Sequence, residues 1–160
     1  MSDQDARFED GGEHPLYLAA EDAEDLTVLS ALVQDAVLTP ADVSWQKGQR
    51  RLAVLLNRFR WEDRAAAERA GRAYERVRAL LVIEGVRRVR SQGIAPGEAD
   101  TVLSLMSVSF EQGEDGAGTV VLTLAGDGAI AAEVEALGVT LKDVTRPYTA
   151  PSGAVPGHPE

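Results

Sequence analysis

The sequence predicts a single α+β domain, mostly antiparallel strands forming a roll or sandwich, with one amphipathic N-terminal helix covering a sheet. Three observations carry this. Clear helical spacing of large apolar residues occurs once, between residues 22 and 37. From residue 43 to 143 the apolar positions mostly alternate, in short runs broken by glycine-containing turns. A chain of 160 residues with 44% hydrophobic content suits one core, large enough to need no disulfide or metal staple. The domain is expected over residues 15–148. Residues 1–14 are acidic and polar, and residues 149–160 hold three prolines and two glycines, so both ends read as mobile tails.

The elements follow in order. Residues 15–20 are a short apolar run, read as a strand. In the helix, Leu26, Leu29, Val33 and Ala36 form one stripe, widened by Leu32 and Val37. Asp22 suits the N-cap, Glu24 and Asp25 suit the first turn, and the helix should end before Pro40. Two strands then flank a turn at Lys47-Gly48-Gln49. In the second, Leu52, Val54 and Leu56 share one face while Ala53 and Leu55 share the other, which predicts a central strand. Arg58 and Arg60 continue the Leu52 face and are read as the point where it reaches water. Residues 63–76, rich in alanine and arginine but interrupted by Gly71, read as a short exposed helix or a mobile connection. Residues 79–83 form another well-covered strand, and Gly85 marks a bend. Strands are expected at 101–111 and 119–125, with Gly126-Asp127-Gly128 as a hairpin turn. The alternation of Ile130, Ala132, Val134 and Ala136 favours strand over helix there.

One internal likeness stands out. Val43-Ser44-Trp45, Leu52–Leu56 and Ala79–Glu84 follow one another as Val108-Ser109-Phe110, Val120–Leu124 and Ile130–Glu135 do. Two β-meanders related by a pseudo-two-fold would produce this; the blander account is that amphipathic hairpins resemble each other.

Composition narrows the chemistry. Without cysteine there are no disulfides, thiolate nucleophiles or cysteine-ligated metals, which fits a cytoplasmic protein. The two histidines, His14 and His158, both fall in the expected tails, which argues against a histidine-based triad or metal site. No phosphate loop, nucleophile elbow or zinc-protease motif occurs. No apolar stretch is long enough to span a membrane as a helix. The run Glu21, Asp22, Glu24, Asp25 is explained by helix capping rather than by a cation. No cofactor, metal or catalytic residue is expected, and the reading leans against an enzyme.

Charge supplies the one candidate site. Of 16 basic residues, 13 lie between Lys47 and Arg90, against five acids in that window, a surplus of eight in a chain of net charge −10. The candidate partner-binding residues are Arg58, Arg60, Trp61, Arg87, Arg88 and Arg90. Arginine beside aromatics can clamp phosphates and stack on bases, which is the nucleic-acid reading. Against it, strand alternation separates Arg58 and Arg60 from Phe59 and Trp61, and aromatics on sheets mostly fill cores. Compensation by the acidic flanks ranks first, a protein partner or homo-oligomer second, and nucleic acid third. The function expected is a non-enzymatic cytoplasmic binding or assembly module using this arginine-rich face. A small-ligand protein or enzyme with Glu84 or Glu135 in a pocket is the remaining alternative.

The segments at residues 26–37, 43–45, 51–62, 78–94, 103–105 with Phe110, and 118–143, above all QDAV and NRFRWE, resemble an uncharacterised bacterial family, of alphaproteobacterial type, of conserved hypothetical proteins built on a domain of unknown function. The resemblance implies one folded domain and supplies no catalytic residue.

Overall fold

A computed structural model describes residues 15–94, 98–150 and 153–157. The fold is mostly antiparallel sheet with two α-helices among the described residues. Its elements are β1 (Tyr17–Ala20), α1 (Ala23–Leu32), β2 (Ala36–Leu38), β3 (Val43–Gln46), β4 (Arg51–Phe59), α2 (Arg64–Ala70), β5 (Glu75–Glu84), β6 (Val86–Gln92), β7 (Leu103–Gln112), β8 (Gly118–Leu124), β9 (Gly128–Val134), β10 (Val139–Asp143) and β11 (Tyr148–Thr149). Short 3-10 turns sit at Pro40–Asp42, Lys47–Gln49 and Trp61–Asp63. The strands form one sheet in the order β1-β10-β5-β4-β2-β7-β8-β9-β6, with β3 added to β4 and β11 to β5.

The two segments likened in sequence are both antiparallel meanders, β3-β4-β5 and β7-β8-β9. Each sends its last strand's continuation to the other. Beyond Gly85 the chain of β5 becomes β6, which pairs with β9. Beyond residues 135–138 the chain of β9 becomes β10, which pairs with β5. Two reciprocal hydrogen bonds mark the crossing: Glu84 N–H donates to Gly138 O at 2.9 Å, and Glu135 N–H to Gly85 O at 3.1 Å. Gly85 sits there at φ +68°, a conformation that disfavours any Cβ. The sheet thus curls until its β6 edge is joined covalently to β5.

The core lies within this curl. Leu52, Val54 and Leu56 of β4, Leu81 and Ile83 of β5, Val120 and Leu122 of β8, and Leu141 of β10 are buried together with Leu26 and Leu29 of α1. Asp22 caps α1, its carboxylate accepting from Asp25 N–H at 2.8 Å. Gly128–Val134 is strand, as the alternation there predicts.

Three expectations need correction. The helix ends at Leu32 rather than running toward Pro40, and Ala36 belongs to β2. Asp35 takes φ 62°, its N–H donates to Leu105 O at 2.7 Å, and the chain turns into the gap between β4 and β7. Strand pairing there overrides the helical spacing. The N-terminal helix is also not the only one, since Arg64–Ala70 forms α2, closed by Gly71 at φ 64°. Finally, ordered chain passes the expected boundary at 148: Thr149 pairs with Glu75, and Ala150 is buried with its N–H on Tyr74 O at 2.8 Å. Residues 1–14 and 158–160, with both histidines, lie outside the described residues.

Candidate functional site

The six candidate residues separate into two groups. Arg58 and Arg60 do not reach water; they are 0% and 4% exposed. Strand alternation places Arg58 on the buried Leu52 face at the end of β4, where the core gives way to carboxylates instead of solvent. Its Nε and Nη2 donate to the two carboxylate oxygens of Asp143 on β10, both at 3.0 Å. Its Nη1 and Nη2 donate to Glu62 at 2.9 and 2.8 Å, and Nη1 also reaches Phe59 O at 3.4 Å. All five guanidinium N–H donors are therefore used, the condition under which a buried charge is tolerable.

Arg60 extends the network. It donates to Glu75 on β5 and lies 3.7 Å from both Glu62 and Asp63. Asp63 in turn accepts two 2.8 Å bonds from Arg72 beyond α2. Three arginines and four acids thus tie β4, the turn after it, the segment beyond α2, β5 and β10. Asp143 also accepts Leu16 N–H at 3.0 Å, fixing the entry to β1.

The electrostatics follow from these contacts. Burial alone would lower the Arg58 pKa, but hydrogen bonds and Coulombic attraction from Glu62 and Asp143 outweigh it, and the net shift is upward. Burial pushes the Glu62 carboxyl up, yet Arg58 overcomes this and holds it below its ordinary value. The Arg72 hydrogen bonds hold Asp63 low against a smaller opposing effect of burial.

Trp61 belongs to the same scaffold. Its ring meets Phe59 edge-on at 4.8 Å between centroids, and its indole N–H donates to Gln34 O at 2.9 Å. The anchored indole joins the β4 end to the α1–β2 turn.

Arg87, Arg88 and Arg90 are different: Arg87, Arg88 and Arg90 are all exposed on β6. This strand ends the sheet order, paired on one side with β9. The register slips between Val86 and Arg88, making Arg87 the extra residue of a β-bulge. Arg88 and Arg90 lie 4.0 and 3.4 Å from the same carboxylate, Glu133. Arg87 has no ion pair among the described residues. It lines a surface cleft of about 340 Å³ with Glu111, Gly118, Thr119 and Glu133. Three exposed guanidiniums therefore stand against one paired carboxylate.

Elsewhere the basic window is partly compensated. Among the described residues, eight of its 13 bases make ion pairs: Arg50, Arg51, Arg58, Arg60, Arg64, Arg72, Arg88 and Arg90. All five acids of the window take part, and from the flanks Glu133, Glu135 and Asp143 join them. Glu84 and Glu135, considered as pocket carboxylates, are half-exposed partners of Arg51 and Arg50. Among the described residues no group of three or more histidines, aspartates or glutamates is placed to hold a metal ion, and no helix is long and apolar enough to cross a membrane.

Sequence reasoning missed Asp143 and Asp63 as partners. Asp143 sits 85 residues from Arg58, and only the β10–β5–β4 register brings them together. A signal was present at Glu62, four residues from Arg58, and in the inward parity of Arg58 itself.

A sequence model of the family described as "Protein of unknown function (DUF2948)" matches residues 16–158. No curated protein and no solved structure matches the chain.

Proposed function

This chain belongs to the DUF2948 family, whose description assigns no activity, and we propose that it is a non-enzymatic binding or assembly module of the cytoplasm with β6 as its contact surface. The observation that carries the reading is the exposed edge strand with three arginines. Arg87 has no acidic partner among the described residues, and the other two share one. Arg58, Arg60 and Trp61 act as scaffold and hold the strand ends together. The scaffold itself is a roll of two exchanged meanders, and the reciprocal hydrogen bonds at Gly85 and Gly138 support an origin by duplication.

A protein partner is favoured over nucleic acid because no aromatic side chain neighbours these arginines along β6 to stack on a base. The test is the combined substitution Arg87→Glu, Arg88→Glu, Arg90→Glu. Loss of captured protein partners, or of a self-associated state in light scattering, is the expected result. Unchanged partners and mass sink the reading. RNA retained by the wild type at low salt and released steeply as salt rises would replace it with the nucleic-acid one.

A further inference from the structure

We propose that β6 accepts an extended segment of alternating acidic and apolar residues, which adds to the sheet as a further strand. This rests on β6 being the contact surface and specifies what it contacts.

The main-chain geometry comes first. Glu135 N–H bonds Gly85 O, so residues of β9 in step with Glu135 turn their main chain toward β6. Arg88↔Glu133 and Arg90↔Ala131 are then the hydrogen-bonded pairs of that ladder. It follows that the N–H and C=O groups of Val89 and Ser91 point the other way, to the open side of β6. Neither residue's main chain has another hydrogen bond among the described residues. Two donors and two acceptors at strand spacing are therefore available for strand addition.

Side chains set the occupant. Arg88 and Arg90 project from one face of β6, and Val89 from the other, where it packs against the core. An added strand would thus find positive charge on one face and an apolar margin on the other. The inner neighbour shows what such a strand looks like. In β9, Glu133 faces the arginines while Ile130, Ala132 and Val134 enter the core. A partner repeating that pattern would meet the charge that Glu133 leaves unbalanced. Arg87, re-aimed by the bulge, would take a further carboxylate at the cleft. A second copy of β6 is a poor occupant, because it would set arginine against arginine. A net charge of −10 opposes acidic segments over the molecule as a whole, so a local cluster of exposed arginines is what would draw one to this edge.

The competing account is that the arginines and the bulge only guard an exposed edge against aggregation. The experiment uses the full chain and a synthetic Glu-Val repeat peptide of about eight residues, within the usual range of strand lengths, with a Lys-Val repeat as control. Calorimetry measures affinity, and amide hydrogen exchange by NMR reports on β6. The expected result is binding of the Glu-Val peptide alone, with slowed exchange at Val89 and Ser91. Affinity should fall at least about tenfold in Arg88→Glu with Arg90→Glu. It should also fall in Ser91→Pro, which removes an outward donor, leaves the β6–β9 bonds in place and changes no charge. Thermal melts of each variant establish that it folds. Arginine-dependent binding with no protection at Val89 and Ser91, and no effect of Ser91→Pro, overturns strand addition but leaves β6 as a contact surface. No binding of the Glu-Val peptide overturns it, and aggregation of the combined Arg87→Thr, Arg88→Thr, Arg90→Thr variant would then assign the edge-guard role.

Discussion

Arg58 spends all five of its guanidinium N–H donors within the protein. Its position follows from two rules that oppose each other: strand parity directs it inward, and burial forbids an unpaired charge. The conflict is resolved because the β10–β5–β4 register delivers Asp143 and the turn after β4 delivers Glu62. Removing the guanidinium would strand Asp143 in the interior. Arg58→Leu should therefore destabilise the fold by about 3–5 kcal/mol, measured by urea unfolding. Arg58→Met with Asp143→Leu should recover part of that loss, because no buried charge then remains unpaired. Gly118 poses the opposite problem. A Cβ there would lie 2.6 Å from Cζ of Phe110, against the ring that covers the β7–β8 ladder, and would also crowd Glu111 O. Gly118→Ala should cost about 1–3 kcal/mol by overpacking, with Phe110 displaced in an NMR or crystal comparison.

At the scale of elements, the network works as a clasp between strand ends, and its strength should depend on pH. Glu62 and Asp63 have lowered pKa values in the folded chain, through Arg58 and Arg72 respectively. A carboxylate lowered on folding stabilises the fold fully above its unfolded pKa, about 4, and loses that contribution as pH falls through the lower folded value. Urea midpoints should therefore be flat from about pH 7 to 5 and fall below about pH 4. The fall should be shallower in Glu62→Gln, whose midpoint should already be lower at neutral pH. How much of this is legible in sequence depends on the range of the interaction. The cap at Asp22, the bend at Gly85 and the hairpin at Gly126-Asp127-Gly128 are local, and each is readable from a few residues. The end of α1 is not, because Leu26, Leu29, Val33 and Ala36 keep helical spacing across a boundary set by strands β4 and β7. The clasp is half legible: Glu62 stands one helical turn's distance from Arg58, whereas Asp143 becomes its partner only after two ladders have formed. The arginines of β6 stand together in the sequence, but their place at an edge is a property of the whole sheet.

For the whole molecule, the exchange of β6 and β10 between the meanders matters more than any single contact. Each meander is completed by a strand that belongs to the other in sequence, so neither closes its sheet alone. The 85-residue separation of Arg58 and Asp143 shows how late some of these contacts must form along the chain. Long-range pairing of this kind raises contact order and slows folding. It also couples the halves into one cooperative unit, and this gives a measurable pattern. Amides in β4, β5, β8 and β9 lie between paired neighbours, in strands that bury Val54, Leu81, Leu122 and Ile130. They should exchange only through global unfolding. Amides of β1 and the two-residue β11 should exchange through local opening, at lower free energy. The reciprocal bonds at Gly85 and Gly138 sit where the two halves cross, so Glu84 and Glu135 should follow the global class despite their exposed side chains. Native-state hydrogen exchange across a urea series checks this directly. If Glu84 and Glu135 joined the fast class while β4 and β8 stayed slow, the crossing would be a weak seam between two units. Coincidence of all of them in one isotherm is the expected outcome, because the strands that leave the crossing complete both meanders and neither can open there without releasing the other.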